Sequence, residues 1–313
     1  MRHIHWVQIE PTKACNLKCT YCARTLVYGD SVDHMDKPLM ERIVFELGKL
    51  PELRQVLIQG FGEPFLYPHL LDMVSLLKSG MPHLSVQLVT NGMVMNRRVP
   101  NLLPMTDVLY VSVDSLKPEY WKTVRIGGSL DRIAENIRAF KDINPRLNVV
   151  LNAVVSGRTI EELEPLCMFA ARSGCSGIQF IPLYPMEGVD GNLTARQREG
   201  LGHEVKLLRL KYGRLDIYAP FDIAQQHRCP WVNNGLYVLM DGKVTPCCVM
   251  SSDDDIVYGD LSEQPLEEIL SSEARAAFGN DYKKHPTCEE CMSVSFSKIW
   301  NYENPLPLIR KVD

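Results

Sequence analysis

The stretch Cys15-Asn16-Leu17-Lys18-Cys19-Thr20-Tyr21-Cys22 holds three of the ten cysteines of the chain. It follows a predicted first strand, so it lies on the C-terminal side of a sheet, where open α/β folds and barrels carry their chemistry. A structural zinc ion takes four ligands, commonly as two pairs. Three cysteines on one loop instead suit a cubane iron–sulfur cluster whose fourth iron stays open for a substrate or cofactor. From the triplet alone, a zinc knuckle and chance spacing remain alternatives.

The sequence around the triplet alternates β-rich runs with amphipathic helical stretches from residue 4 to about residue 218. This alternation is typical of βα units around a parallel sheet. The predicted strands are 4–9, 55–59, 85–89, 108–113, 148–154 and 177–181. The main predicted helices are 39–50, 70–78, 130–142, 160–173 and, after a capping box of Thr194 and Gln197, about 195–211. Six such units predict an α/β fold, a partial TIM-like (β/α)6 barrel over residues 1–218.

A second module is predicted over residues 219–313, where this pattern changes. Residues 237–240 and 243–245 predict a β-hairpin with a two-residue turn at Asp241-Gly242. A short helix is predicted at about 266–278. The module carries the other five grouped cysteines of the chain, which are Cys229, Cys247, Cys248, Cys288 and Cys291.

The composition is that of a globular protein: 313 residues, 45% hydrophobic, 23% charged, with a net charge of −4. Without a basic excess, neither nucleic acid nor an anionic membrane surface is expected as the main partner. The first residues lack the apolar core of a signal peptide, and no run of about eighteen apolar residues occurs, so we expect a cytoplasmic protein outside the membrane. In that reducing compartment, the grouped cysteines indicate metal or redox chemistry rather than disulfides.

Further motifs follow the triplet at the ends of predicted strands. The second strand ends in Gln59-Gly60-Phe61-Gly62-Glu63-Pro64, the third in Val89-Thr90-Asn91-Gly92 and the fourth in Val111-Ser112-Val113-Asp114-Ser115. Together with the triplet, they resemble the radical S-adenosylmethionine (SAM) superfamily over the first two thirds of the chain. The resemblance implies that Cys15, Cys19 and Cys22 hold a 4Fe-4S cluster whose open iron binds the methionine of SAM. It also implies that an electron from a flavodoxin or ferredoxin yields a deoxyadenosyl radical, which removes a hydrogen atom from a C–H bond.

The same resemblance assigns eight residues to SAM. They are Tyr21 for the adenine; Gly60, Gly62 and Glu63 for the methionine ammonium; Arg125 for the methionine carboxylate; and Thr90, Ser112 and Asn152 for ribose or carboxylate contacts. The glycines fit this role because they permit close approach of the backbone. From the residues alone, Tyr21 is as well explained by loop packing, the strand-end residues by turns and caps, and Arg125 by a surface ion pair.

The cysteines of the second module resemble the SPASM or twitch extension of one branch of this superfamily, which binds auxiliary iron–sulfur clusters. Too few cysteines remain for two clusters, so one auxiliary 4Fe-4S cluster is expected, with the ligands Cys229, Cys247, Cys288 and Cys291. Cys248 is then left free, although the choice between the adjacent Cys247 and Cys248 is open. A zinc site formed by the same four cysteines is the alternative.

The spare thiol bears on the reaction. If Cys248 returns a hydrogen atom to a substrate radical, a stereocentre is inverted, and the protein is an epimerase. If the substrate radical instead loses a proton and passes its electron to the auxiliary cluster, a carbinol becomes a ketone, and the protein is a dehydrogenase. Modification of a peptide and a metal-binding module without catalysis are further alternatives.

The expected substrate is a small polar molecule, an aminosugar, because the chain shows no obvious peptide-recognition domain. Four carboxylates near predicted strand ends offer partners for amino groups: Glu10, Asp114, Glu187 and Asp190. Within the superfamily, these features resemble those of the aminoglycoside epimerases of the neomycin type. This combination of features predicts a radical SAM epimerase of antibiotic biosynthesis.

Overall fold

Twelve strands occur among the residues that the computed structural model describes, which are 4–184, 189–219, 229–251, 256–289 and 291. They are β1 (Trp6–Ile9), β2 (Lys18–Cys19), β3 (Gln55–Ile58), β4 (Ser85–Thr90), β5 (Val108–Ser112), β6 (Arg125–Ile126), β7 (Asn148–Val155), β8 (Gly177–Pro182), β9 (Asp216–Tyr218), β10 (Gly235–Val238), β11 (Lys243–Thr245) and β12 (Gly259–Asp260). Each of the six strands expected from the sequence is present, with ends that differ by at most two residues.

The α-helices of the described residues lie between these strands and in the C-terminal module. They are α1 (Lys37–Leu47), α2 (Leu70–Gly80), α3 (Val99–Leu102), α4 (Pro118–Thr123), α5 (Leu130–Ile143), α6 (Leu163–Arg172), α7 (Ala195–Lys211), α8 (Pro230–Asn234), α9 (Leu266–Leu270), α10 (Glu273–Asp281) and α11 (Pro286–Glu289). The capping box of Thr194 and Gln197 is confirmed at the start of α7: the threonine hydroxyl accepts from the Gln197 N–H, and the Gln197 side chain accepts from the Thr194 N–H.

One sheet of ten strands organises the molecule, in the order β12-β11-β10-β1-β3-β4-β5-β7-β8-β9. All neighbours from β10 to β9 run parallel, and only the β10–β11 and β11–β12 pairs are antiparallel. The expected α/β class with a mostly parallel sheet is therefore confirmed. Because the strands are parallel, their C-terminal ends lie at one edge, and the loops after them share one site.

The two faces of the sheet pack differently, and only the helix-covered face is uniformly apolar: on the other, the buried side chains of Gln8 and Gln87 flank Leu57. Val56 and Ile58 belong to the large core beneath the helices, whereas Leu57 between them packs with residues of other strands alone. That second cluster contains Leu57, Val108, Tyr110 and Val150. Alternating side chains of one strand thus fill the helix-covered side and the inner side of the sheet, as period-two alternation requires.

The C-terminal module continues this sheet, because β10 pairs in parallel with β1. The expected hairpin is present, but its turn has three residues and not two. The N–H of Leu239 donates to the carbonyl of Lys243 (2.9 Å), which leaves Met240, Asp241 and Gly242 between them, and Gly242 adopts a φ of 98°. The single helix expected at 266–278 is two helices, α9 and α10, since Ser272 caps the second one.

Candidate active site

The cysteine triplet lies in the loop after β1, and a two-residue strand pair holds this loop. Residues of β2 pair antiparallel with β6, so that Cys19 lies opposite Arg125. The Cys22 N–H donates to the Cys19 carbonyl (3.2 Å), and the Leu17 N–H points to the Cys15 sulfur (3.5 Å). Sequence reasoning missed both strands, because two residues carry no periodicity.

Burial makes Cys15 and Cys19 weaker acids than free cysteine. It raises the pKa of Cys15 and raises the pKa of Cys19 to about 11, although the Arg125 charge lowers the Cys19 value. Cys15 and Cys22 both contribute to the Cys19 value, so the three sulfurs interact electrostatically. Cluster binding therefore has to displace protons from these cysteines, as metal binding to thiols generally does.

Glu63 follows β3 and is nearly fully buried, at 3% exposure. One carboxylate oxygen, Oε1, accepts hydrogen bonds from the Phe65 N–H (3.1 Å) and the Thr90 hydroxyl (2.8 Å). The other, Oε2, accepts from the Asn91 N–H (2.7 Å). Burial raises the pKa of Glu63, and these three donors lower it in part. The carboxylate thus ties the end of β3 to the end of β4.

Two glycines bring the backbone after β3 against the cysteine loop. A Cβ at Gly60 would lie 2.3 Å from Cγ of Glu10, and one at Gly62 would lie 2.4 Å from the Thr12 carbonyl oxygen. The Gly62 N–H donates to that same carbonyl (3.1 Å). Side chains are excluded at both positions, because the backbone after β3 packs directly on the segment that leads from β1 to the triplet.

Arg125 is buried beside the triplet with its guanidinium fixed on three sides. Its Nη1 donates to the Ser112 carbonyl (2.7 Å) and to Asp114 Oδ2 (3.3 Å), and its guanidinium carbon lies 5.2 Å from the centre of the Trp121 ring. The Tyr21 hydroxyl donates to the same Asp114 oxygen (2.5 Å). Arg125 is therefore part of a buried network and not of a surface ion pair.

Two buried polar atoms in this region have no hydrogen-bond partner among the described residues. They are Nε of Arg125 and Oδ1 of Asn152. Asn152 pairs with Ser112 across β5 and β7, at the C-terminal end of the sheet. Because an unpaired buried polar atom is costly, a donor and an acceptor left open beside the cysteine loop indicate a polar ligand there.

A cavity of about 220 Å³ adjoins the cysteine loop on the β7 and β8 side. Its lining includes Thr20, Tyr21, Val154, Arg158 and Asp190. The cavity thus offers an aromatic ring, hydroxyl groups and one charge of each sign. Tyr21, which the sequence places at the adenine, is on its wall.

The second cysteine group surrounds another, smaller cavity, of about 20 Å³. Cys229, Cys247, Cys288 and Cys291 all line it, together with apolar and aromatic side chains such as Phe278 and Tyr282. Burial raises the pKa of Cys229 and Cys247, and raises that of Cys288 to about 12. These are the four residues expected to hold an auxiliary cluster.

Cys248 differs from those four. Of the ten cysteines, all of which the structure describes, it alone is exposed. Its surroundings are nevertheless dense enough for burial to raise the pKa of its thiol to about 12, and Cys291 and Cys229 contribute to that shift. Cys248 therefore lies close to the auxiliary group.

The four carboxylates expected at the substrate lie in different settings. Asp190 lines the cavity of about 220 Å³, and Glu187 lies outside the described residues. Both Asp114 oxygens are occupied by donors of the protein, since Oδ1 accepts from the Val154 N–H (2.9 Å). Glu10 is buried; its Oε1 accepts from the Phe61 N–H (3.0 Å), and its Oε2 has no partner among the described residues.

One polar residue of the site was given no role by the sequence. The Asn91 side-chain amide donates to Asn16 (2.8 Å) and points to the Cys15 sulfur (3.8 Å), while its backbone N–H donates to Glu63.

Within the described part of the chain, no three His, Cys, Asp or Glu side chains are arranged to hold a single metal ion. No described helix is long and apolar enough to span a membrane.

Comparison with known families identifies the first module. The model of the radical SAM superfamily matches residues 9–170, which are half of the chain. The chain belongs to the radical SAM superfamily. A second model, of an iron–sulfur cluster-binding domain called SPASM, matches residues 229–292. This radical SAM protein therefore carries SAM-dependent radical chemistry and iron–sulfur clusters, including an auxiliary one.

Known relatives of this radical SAM protein differ in their reactions. It is 23% identical to the tungsten-containing aldehyde ferredoxin oxidoreductase cofactor-modifying protein of Pyrococcus furiosus, over 91% of this chain and 86% of that one. It is 26% identical to the GTP 3',8-cyclase of Alkaliphilus metalliredigens, over 82% of this chain and 84% of that one. The structure of Streptococcus suis SuiB bound to SAM is similar with a TM-score of 0.77 at 15% identity, covering 94% of this chain and 72% of SuiB. That likeness confirms the partial barrel with its C-terminal module.

The residues of this radical SAM protein fit SAM. Arg125 Nε is an unpaired cationic donor suited to a carboxylate, and Asn152 Oδ1 is an unpaired acceptor suited to a hydroxyl or amino group. Tyr21 lines a cavity beside the triplet. The unpaired donor of Arg125 suits the carboxylate of the methionine part of SAM, and the unpaired acceptor of Asn152 suits a hydroxyl or amino group of SAM.

Proposed function

We propose that this chain is a radical SAM epimerase that acts on a small polar substrate, an aminosugar, with the Cys248 thiol returning the hydrogen atom. The observation that carries the proposal is the contrast within the auxiliary group. Four cysteines surround one cavity, and the fifth, Cys248, is exposed beside it and does not line it. A cluster with four protein ligands would leave this thiol free.

In this proposal, Cys15, Cys19 and Cys22 bind the 4Fe-4S cluster that holds SAM. A flavodoxin or ferredoxin would be the electron donor of this cluster. Arg125 would bind the methionine carboxylate, and the backbone at Gly60 and Gly62 would approach the methionine ammonium, with Glu63 fixing that backbone. Tyr21 would lie against the adenine. Ribose contacts would come from the strand-end residues Thr90, Ser112 and Asn152. Of these, Asn152 has a buried side-chain oxygen, Oδ1, without a hydrogen-bond partner among the described residues. When bound and reduced, this cofactor pair supplies a deoxyadenosyl radical that removes a hydrogen atom from the substrate.

The protein has to keep that radical from water and from its own side chains. The inner face of the sheet holds a buried apolar cluster of Leu57, Val108, Tyr110 and Val150, which would limit the access of water from beneath the strand ends. A dry, preformed site holds the reacting atoms at contact distance and excludes side reactions. Substrate then has to bind above this layer, at the C-terminal ends of the strands.

Cys248 would complete the reaction. Its S–H bond breaks as a new C–H bond forms on the face opposite to the one attacked, which inverts the stereocentre. The thiyl radical left behind needs one electron and one proton, and its neighbours Cys229 and Cys291 are two proposed ligands of a one-electron carrier.

The aminosugar assignment has narrower support. Among the carboxylates expected to pair with amino groups, Asp190 lines the cavity and Glu10 has an unpaired oxygen, whereas Asp114 is fully occupied within the protein. Asp190 shares its cavity with Arg158, so this wall recognises a substrate with charges or hydroxyl groups and not an apolar one. We propose Asp190 and Glu10 as the substrate carboxylates.

A dehydrogenase is the second candidate, because an aromatic pair joins the barrel to the auxiliary group. The rings of Trp6 on β1 and Trp231 on α8 lie 3.7 Å apart between centroids, and Cys229 and Cys247 pack against the cluster that contains them. This contact would carry an electron from a substrate radical in the barrel to an auxiliary cluster. The substrate would then leave as a ketone.

Alanine variants of the adjacent cysteines separate these functions. We would compare the iron content and the products of the reconstituted wild-type protein with those of Cys247→Ala and Cys248→Ala under anaerobic conditions. The control is Cys175→Ala, which removes a buried thiol outside both cysteine groups. The substrate panel contains aminoglycosides and, because one relative is a GTP cyclase, GTP.

We expect Cys248→Ala to keep its iron and to form deoxyadenosine without an epimer, whereas Cys247→Ala loses auxiliary iron. Loss of iron in Cys248→Ala, with iron retained in Cys247→Ala, would contradict the ligand assignment. A ketone product from the wild-type protein would contradict the epimerase and establish the dehydrogenase.

A further inference from the structure

Asp114 lies at the end of β5 and is buried, at 1% exposure. Its Oδ2 accepts from the Tyr21 hydroxyl (2.5 Å) and from Arg125 Nη1 (3.3 Å). Its Oδ1 accepts from the Val154 N–H (2.9 Å) on β7. Both oxygens are therefore used by the protein itself, and the backbone bond fixes the plane of the carboxylate.

The partners of Asp114 come from separate parts of the chain. Tyr21 belongs to the cysteine loop, 93 residues before Asp114, and Arg125 belongs to β6, 11 residues after it. Arg125 in turn lies opposite Cys19 in the β2–β6 pair. One carboxylate thus joins two sides of the cysteine loop to the barrel, at the point where the loop must hold its shape.

The same contacts determine which guanidinium atoms of Arg125 remain open. Nη1 is shared between the Ser112 carbonyl (2.7 Å) and Asp114, and the Trp121 ring lies beneath the guanidinium. Nε is buried and has no partner among the described residues. The guanidinium is therefore held through Nη1 and the Trp121 ring, and its Nε remains as a charged donor for a ligand.

We propose that Asp114 is a positioning residue for SAM: its carboxylate holds Arg125 and Tyr21 in the orientation in which they receive the methionine carboxylate and the adenine. This inference rests on the proposed function, because it takes the SAM contacts of Arg125 and Tyr21 from it. It replaces the substrate role that the sequence assigned to Asp114. Asp114 itself touches no ligand in this account.

The charge of Asp114 matters as much as its shape. A buried guanidinium needs a countercharge, because an unpaired buried charge is strongly unfavourable. With asparagine at this position, the Tyr21 hydroxyl and the Val154 N–H still need acceptors, and only one amide oxygen is available. Arg125 then loses its charged partner and keeps only the Ser112 carbonyl and the Trp121 ring, so its orientation towards the methionine carboxylate is less firmly fixed.

The test compares Asp114→Asn with Asp107→Asn, a control at the other end of the same strand whose side chain is more exposed, at 38% against 1%. Asp107 likewise accepts from a cation, Lys78 Nζ (2.6 Å), and from a backbone N–H, that of Val86 (2.7 Å). Iron content, the SAM dissociation constant by equilibrium dialysis, and kcat and KM for SAM cleavage are measured on the reconstituted proteins. Wild-type protein that neither binds nor cleaves SAM would refute the proposed function itself, separately from this inference.

For Asp114→Asn we expect iron content equal to that of the wild type and SAM binding weaker by about tenfold or more, the loss that one charge-assisted hydrogen bond produces. KM for SAM should rise by a similar factor while kcat changes less, and Asp107→Asn should stay within about twofold. Unchanged SAM affinity in Asp114→Asn, or an equal loss in Asp107→Asn, would overturn the inference.

Tyr21→Phe provides a second test, which also applies if Asp114→Asn does not give the wild-type circular dichroism spectrum. This change removes one donor and leaves the buried charges intact, so we expect SAM binding to weaken by about threefold or more with iron retained. Because Tyr21 acts through Asp114, the double variant should bind SAM no more weakly than Asp114→Asn alone. Unchanged SAM affinity in Tyr21→Phe, or additive losses in the double variant, would contradict the positioning role.

Discussion

Replacing Glu63 by glutamine tests the account of the buried carboxylate after β3. In the structure, each carboxylate oxygen accepts from a backbone N–H: that of Phe65 on Oε1 and that of Asn91 on Oε2. The glutamine NH2 group must take one of these two positions. Either orientation places two N–H donors against each other in a site with 3% exposure.

The cost follows from these contacts. The less unfavourable orientation keeps the amide oxygen on the Phe65 and Thr90 side and leaves the Asn91 N–H unpaired, since Oε2 has that single donor and Oε1 has two. The variant loses one charge-assisted hydrogen bond and leaves one buried N–H unpaired, but it no longer buries a charge. On balance, the free energy of unfolding should fall by about 2–4 kcal/mol. With a denaturant slope of about 3 kcal/mol per molar urea, the unfolding midpoint falls by about 1 M.

Glu162→Gln is the matched control, because this carboxylate is equally buried, at 4% exposure. Its Oε2 accepts from the Leu116 N–H (2.7 Å), but its Oε1 accepts from the Ser115 hydroxyl (2.7 Å). A hydroxyl can turn from donor to acceptor, whereas a backbone N–H cannot. The glutamine therefore keeps both hydrogen bonds and loses an ion pair with the half-exposed Lys117 (3.7 Å), so its cost should stay within about 1 kcal/mol.

The assay is urea unfolding of the anaerobic, reconstituted proteins, followed by circular dichroism. We expect a clearly lower midpoint for Glu63→Gln than for Glu162→Gln. Weaker SAM binding should accompany the change in Glu63→Gln alone, because Glu63 fixes the backbone that we propose to contact the methionine. Equal midpoints for the two variants would refute the reasoning from donor geometry.

Three further predictions concern the same site. Burial raises the pKa of the Glu10 carboxyl, so the folded protein binds this proton more tightly than the unfolded chain does. The stability that this protonation contributes is complete below about pH 4.5 and is lost as the pH rises through the raised pKa. Glu10→Gln should remove that slope from urea midpoints measured between pH 4.5 and 8. Gly62→Ala places a Cβ 2.4 Å from the Thr12 carbonyl oxygen and should weaken SAM binding in equilibrium dialysis by about tenfold or more, with the secondary structure retained. Cys15→Ala should lose the iron of the first cluster and all SAM cleavage, as measured by iron analysis and deoxyadenosine formation.

The sequence was sufficient for the main strands because their apolar runs are bounded by turn residues. The strand predicted at 108–113 is observed as Val108–Ser112, for example. It was not sufficient for β2 and β6, which have two residues each, or for the three-residue hairpin turn. In those places the structure depends on pairing between distant segments and not on local pattern.

The candidate site shows the same division. The cysteine motif and the strand-end motifs name the residues that meet at the C-terminal edge of the sheet, because parallel strands align their ends. The sequence could not show that Arg125 is buried against Trp121, or that Asp114 is occupied by Tyr21, Arg125 and Val154. Those facts depend on side-chain contacts among segments up to 93 residues apart.

Turnover in deuterated water tests the central claim most directly. The reconstituted wild-type protein is reduced anaerobically with SAM and a panel of aminoglycosides, and deoxyadenosine and products are analysed by mass spectrometry. Return of hydrogen from the exchangeable thiol of Cys248 predicts a product that gains one deuterium at one carbon and keeps its oxidation state. A product lighter by two hydrogens, with no deuterium at carbon, would contradict the epimerase.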